Sequence, residues 1–176
     1  MGQYYVVIIL GNKPEHGEPE VFRYHLSPYA GSKLTEHSFI KNEFVKTIEG
    51  LICPSGIFHK SRIVWAGDYA DNEDQLPKNL YTIIQNKTYS QMLSTIDAGM
   101  YRYIVNHTKK LYVDKENSES NIHPLPLLVC EGNQRGGGDY WGNNSELCGT
   151  WARDIISVTN EQPLGYEELV CHFKLC

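Results

Sequence analysis

Short apolar runs of strand length, each closed by a cluster of turn-forming residues, recur from one end of the chain to the other. Gln3 to Leu10 (QYYVVIIL) is the first, and the turn-rich GNKPEHGEPE leads from it into VFRYHL. Val, Ile and Tyr favour a pleated, packed surface, so the two runs predict an antiparallel hairpin with a long loop. SRIVWAG, LYTIIQ, the pair in YRYIVNHTKKLYVDK, LPLLVC and GTWARDIISVT read as further strands, with LVCHFKLC as a last apolar segment. One stretch follows the helical period instead. Behind a Ser38 cap, Ile40, Phe44, Val45, Ile48, Leu51 and Ile52 fall on one face, and Pro54 stops the helix. TYSQMLSTIDAGM predicts a second, short helix. Strands outnumber helices and do not alternate with them as parallel βαβ units would. The expectation is an α+β fold with a mainly antiparallel sheet and one or two packed helices.

The 176 residues are enough to bury one sizeable core, and the 41% apolar and 21% charged balance is that of an ordinary globular chain. The polar stretch ENSESNIHPLP is a loop rather than a boundary, because the roughly 55 residues after it would be marginal alone. Residues 1–176 are therefore expected to form a single domain. The net charge is −5, with basic residues scattered rather than gathered into a stripe, so duplex nucleic acid is not an expected partner. Five cysteines, odd in number and widely spaced, favour an intracellular chain with reduced thiols. The first apolar run is too short to cross a bilayer and lacks a basic lead-in, and Met1-Gly2 meets Val6 where an acylation signal wants Ser or Thr. No membrane association is expected. The sequons at Asn86, Asn106 and Asn143 would matter only outside the cell.

Four features bear on chemistry. The first is EGNQRGGGDYWGNN, residues 131–144. It is not a dinucleotide fingerprint, since Trp141 stands where a third glycine belongs, and no Gly-Lys pair exists to make a phosphate-binding loop. Two readings remain: a strand-end turn in which glycine supplies positive φ, or a nest of backbone amides at Gly137 and Gly138, with Asp139 and Trp141 beside it. The second feature is an echo. Trp65-Ala66-Gly67-Asp68 and Trp151-Ala152-Arg153-Asp154 share W-A-x-D, although their flanks do not align, and each Trp is a candidate core anchor.

The third is the acidic segment Asp68, Asp71, Glu73 and Asp74, which is either a solvated loop or an oxygen-rich metal site at Asp68 and Asp71; it does not follow the EF-hand pattern. The fourth is Glu36-His37 ahead of the helix, a surface pair or, with an orienting carboxylate, a general base. The cysteines form no C-x-x-C pair, so a structural zinc is not expected and no cofactor is implied.

MGQYY, KLTEHSFIKNEFVKTIEGL, RIVWAGDYADNE, YIVNHTKKLYVDK, IHPLPLL, EGNQRGGGDYWGNN and GTWARDIISV together resemble a set of uncharacterised small proteins encountered in giant viruses, amoebae and some bacteria. Lys33-Leu34-Thr35 departs from the KLME form of that set. The resemblance implies kinship and brings no activity or site with it. Three functions stay open. The leading one is a non-enzymatic module that binds a small molecule or a protein through Glu36, His37, Asp68, Gly137, Gly138, Asp139 and Trp141. An alternative is a metal-dependent hydrolase of phosphoester-like bonds, with Asp68 and Asp71 on the metal and His37 as base. A third, suggested by the resemblance, is a structural component of a larger assembly such as a virus particle, which would put the chain in the cytoplasm, a viral factory or the virion.

Overall fold

YVVIIL, the first strand (β1, Tyr5–Leu10), is buried at every position, as is SRIVWAG (β3, Ser61–Gly67). A strand loses its polar alternation when both faces of its sheet are covered, and that is the arrangement in a computed structural model of the protein. The structure describes residues 2–26, 33–85, 87, 100–118, 121–132 and 140–174; of His37 only the backbone is described. Tyr5, Val7, Ile9, Ile63 and Trp65 face a large core shared with helices α2 (Glu43–Ile52) and α4 (Pro124–Leu128). Val6, Ile8, Leu10, Val64 and Ala66 face a smaller one closed by Leu80 and Ile84 of helix α3 (Leu80–Gln85).

The remaining elements are β2 (Phe22–Leu26), α1 (Leu34–His37), β4 (Tyr103–Asn106), β5 (Leu111–Asp114), β6 (Cys130–Glu131), β7 (Ile155–Thr159) and β8 (Glu167–Glu168). All eight strands join one mixed, mostly antiparallel sheet in the order β2-β1-β3-β7-β4-β5-β8, with β6 also paired to β3. The fold is α+β, as its sequence pattern predicts. The β1–β2 and β4–β5 hairpins form as expected. Among the described residues no helix is long and apolar enough to cross a membrane.

Three local expectations fail for physical reasons. LYTIIQ is helix α3, not a strand: Asn79 Oδ1 accepts the Thr82 N–H at 2.8 Å and caps the first turn, while Leu80 and Ile84, four apart, bury on one face. LPLLVC is mostly helix α4. His123 Nδ1 accepts the Leu125 N–H, Pro124 takes the first turn where its missing N–H costs nothing, and complete burial erases the period. Helix α2 starts four residues later than expected, because Asn42 and not Ser38 caps it. Ser38 instead returns its hydroxyl to the Leu34 carbonyl at 2.6 Å and closes α1. LVCHFKLC forms no strand within its described part, yet Cys171 and Phe173 bury alternately in the large core. The expected TYSQMLSTIDAGM helix, apart from Met100, and the glycines of residues 133–139 lie outside the described residues.

Candidate functional site

Strand β3 has one edge on β1; its other edge is divided. Ser61 and Arg62 pair with β7, whereas Trp65 and Ala66 pair in parallel with Cys130 and Glu131 of β6. The sheet thus forks along a single strand. Backbone bonds fix both arms: Arg153 N–H to Ile63 O at 2.8 Å and Ile63 N–H to Asp154 O at 3.2 Å on one, Trp65 N–H to Val129 O at 3.0 Å on the other. The two W-A-x-D segments lie on the two arms, and both tryptophans are buried anchors. Trp151 N–H bonds to Leu128 O at 2.8 Å, so the two Trp backbones hold consecutive carbonyls at the end of α4.

Their third positions differ, and both meet Glu131. At Gly67 a Cβ would stand 2.9 Å from the Glu131 carbonyl oxygen and 3.0 Å from Gln3 Oε1, so only glycine admits β6 this closely. Arg153 takes a left-handed backbone, φ 64°, which turns its side chain into the fork. A non-glycine residue there costs about 1–2 kcal/mol, and strain of this kind gathers at functional sites.

A guanidinium has five N–H donors, and in Arg153 all five are used. Nε and Nη2 grip Glu131 at 2.6 and 2.8 Å, Nη2 and Nη1 grip Glu73 at 2.6 and 3.1 Å, and Nη1 also reaches Glu20 at 3.3 Å. Glu20 in turn chelates Arg62 at 2.9 and 3.0 Å, and Arg62 Nε donates to the Arg153 carbonyl at 3.0 Å. Burial pulls the Arg153 pKa down, but hydrogen bonds and charge from Glu131 and Glu73 outweigh it and hold the group above its ordinary value. It is a permanent cation.

A cavity of about 240 Å³ opens at this junction, lined by Asp71, Glu73 and Asp74 of the acidic segment, Glu131 and Gly132 at the foot of the glycine-rich stretch, and Arg153. Buried Asn79 shapes the acidic loop, its Nδ2 donating to the carbonyls of Asp68 at 2.9 Å and Ala70 at 3.0 Å. A wider recess of about 490 Å³ adjoins it at Glu73, Asp74 and Arg153, with Lys13 and Lys87 on its own walls.

Of the residues singled out in the sequence, Asp71, Glu73 and Asp74 line the cavity; Glu36, Asp68 and Trp141 do not. Asp68 Oδ1 accepts the Tyr4 N–H at 3.1 Å, and Glu36 Oε2 accepts the Lys33 N–H at 2.9 Å as part of a capping box. Lys33 bridges to Tyr4 from the opposite side, so the start of α1 and Asp68 flank one residue just ahead of β1. Trp141 is 85% exposed. Gly137, Gly138, Asp139 and the His37 side chain lie outside the described residues. Among the described residues no group of three or more His, Cys, Asp and Glu side chains is arranged to hold a metal ion.

The sequence left Glu20, Arg62, Glu131 and Arg153 without a role. Glu131 opens the glycine-rich stretch and Arg153 stands in the W-A-R-D echo, while none of the four features contains Glu20 or Arg62. No protein-family model, curated protein or solved structure matches the chain.

Proposed function

We propose that the protein is a binding module whose site is the cavity at the β3 fork, and that its ligand is a small cation rich in hydrogen-bond donors, such as a polyamine or a guanidino compound. The supporting observation is the saturation of Arg153. With every guanidinium donor spent on Glu20, Glu73 and Glu131, the group has nothing left for an incoming anion. Asp71 and Asp74 add further negative charge to the lining. Among the described residues the walls attract positive charge, and a partly enclosed cavity strengthens that attraction relative to open water. The acidic loop and the foot of the glycine-rich stretch serve this reading together, through Asp71, Glu73, Asp74 and Glu131 rather than through Glu36, Asp68 and Trp141.

Thermal unfolding with agmatine and spermidine, against citrate and inorganic phosphate, tests it. A ligand at about 100 times its Kd stabilises by about 2.7 kcal/mol, a readable rise in Tm. The cations should give that rise, and Asp74→Asn should diminish it while leaving the unliganded Tm unchanged. Stabilisation by the anions and not the cations would overturn the proposal. The hydrolase alternative gains no support from the described residues. The assembly alternative rests on the resemblance alone.

A further inference from the structure

A second ionic centre lies under the opposite face of the sheet. Its members are Glu49 of α2, Lys115 just past β5, and His123 at the head of α4. Glu49 Oε1 receives Lys115 Nζ at 2.5 Å and His123 Nε2 at 2.7 Å. The His123 tautomer follows from its other nitrogen. Nδ1 accepts the Leu125 N–H at 3.2 Å, so the single proton of the neutral ring is on Nε2 and is donated to Glu49. Burial holds the His123 pKa below its ordinary value against the pull of Glu49, which keeps the ring neutral. Burial raises the Glu49 pKa, but His123 and Lys115 outweigh it and the carboxyl sits below its ordinary value. Glu49 is ionised.

This assignment leaves Lys115 under-used. His123 Nε2 lies 3.3 Å from Lys115 Nζ, but a nitrogen that carries its own proton cannot accept one. Of the three ammonium donors, one has an acceptor among the described residues. The lysine side chain is nevertheless only 10% exposed, and buried donors are rarely left without partners. Lys115 borders a cavity of about 330 Å³ with Ile40, Met100, Tyr101, Arg102, Glu116 and Asn160, none of which lines the Arg153 cavity. Two further donor-bearing residues line the same cavity. Arg102 gives Nε and Nη2 to Asp114 and Nη1 to Glu116, keeping two N–H groups in hand. Asn160 spends its oxygen on the Arg102 N–H at 3.0 Å. The one acid in the lining, Glu116, is 67% exposed and held by Arg102 alone among the described residues.

We propose that this cavity binds a small monocarboxylate with an apolar body. One carboxylate oxygen takes the spare Lys115 donors. The other displaces Glu116 from Arg102 Nη1, so that an exposed carboxylate is exchanged for a bound one and the local charge count is unchanged. A dianion such as phosphate would add one further negative charge to a site whose two cations already face Glu49 and Asp114. Ile40, Met100 and the Tyr101 ring cover the apolar body, in a cavity at the small end of the usual range for ligand pockets.

Calorimetry at pH 7 with hexanoate, and with 1-hexanol and hexylamine as matched controls, tests this. Hexanoate should bind with a Kd of about 1 mM, a reasonable affinity for a ligand of that size, and about tenfold tighter than either control. Glu116→Gln removes the competing carboxylate from an exposed position and should tighten hexanoate about threefold. Lys115→Met in a Glu49→Gln background, which avoids a lone buried charge, should weaken it at least about tenfold. The proposal is overturned if hexanol binds as well as hexanoate, if Glu116→Gln leaves the affinity unchanged or weakens it, or if the folded double variant binds normally. Should the double variant not fold, the Glu116→Gln result decides alone.

Discussion

Replacing Arg153 separates two effects that the structure places on one residue. Its side chain is 24% exposed, and those of Glu20, Glu73 and Glu131 are 7%, 18% and 15% exposed, so the carboxylates it holds are largely out of water. Breaking a buried pair by removing one partner costs about 3–5 kcal/mol, because the other charge is left uncompensated. Partial exposure and the continued grip of Arg62 on Glu20 argue for the lower end. Arg153→Met should therefore destabilise by about 3 kcal/mol. The second effect is the left-handed backbone, φ 64°. Glycine removes the roughly 1–2 kcal/mol penalty of that conformation and gives part of it back through a freer unfolded chain. Arg153→Gly should thus be about 1 kcal/mol less damaging than Arg153→Met, although it deletes more atoms. Urea unfolding at pH 7, with equal slopes confirming two-state behaviour, measures both. A loss below about 1 kcal/mol for Arg153→Met would refute the claim that this cation compensates desolvated carboxylates. Equal losses for the two variants would refute the claim that the backbone is strained.

Gly67→Ala pushes a methyl against the Glu131 carbonyl, Gln3 and Tyr5 and should cost about 1–3 kcal/mol by overpacking, read from the urea midpoint. His107 bonds to Tyr166 at 2.9 Å and Ser157 at 2.7 Å, and burial, followed by the charges of Lys60 and His59, lowers its pKa to about 4. Between that value and about 6.5 the unfolded chain takes up a proton that the native ring refuses. Its contribution is therefore constant above about pH 6.5 and falls as pH drops toward 4, so His107→Gln should flatten the stability profile in that window; an unchanged slope would remove His107 as its cause. Burial pushes the Cys171 thiol up to about 12, so alkylation by iodoacetamide at pH 8 should be about a thousandfold slower in the native protein than in urea, followed by mass spectrometry.

The sheet was legible because its strands carry their own signal. YVVIIL and SRIVWAG are too apolar for anything but a strand covered on both sides, and IVN and LYVD flank a turn with Lys110 in a left-handed conformation. The helices were less legible in proportion to their shortness. Helix α2 has ten residues and two apolar repeats; α3 has six and α4 five. Over one and a half turns an apolar run has no distinguishable period, and the decision passes to caps. Asn79 and His123-Pro124 are those caps, and both stood in the sequence as ordinary loop residues.

The site is harder to read for a different reason. Glu20, Arg62, Glu73, Glu131 and Arg153 come from five separate segments, and they meet only because β3 divides one edge between β6 and β7. No spacing along the chain encodes such a meeting. The W-A-x-D echo carried a trace of it, since both copies hold the carbonyls that lead from α4 into β6, one from each arm of the fork. Likeness between the copies reflects that shared partner, and the informative position is the one where they differ. Gly67 is bare, so the Glu131 backbone can come close; Arg153 is long, so the Glu131 side chain can be held. Exchanging the two residues would take away the approach and the grip together. A Gly67→Arg, Arg153→Gly double variant should therefore lose more stability than the summed losses of Arg153→Gly and Gly67→Ala, because no side chain at position 67 can reach the carboxylate without first expelling the strand that carries it.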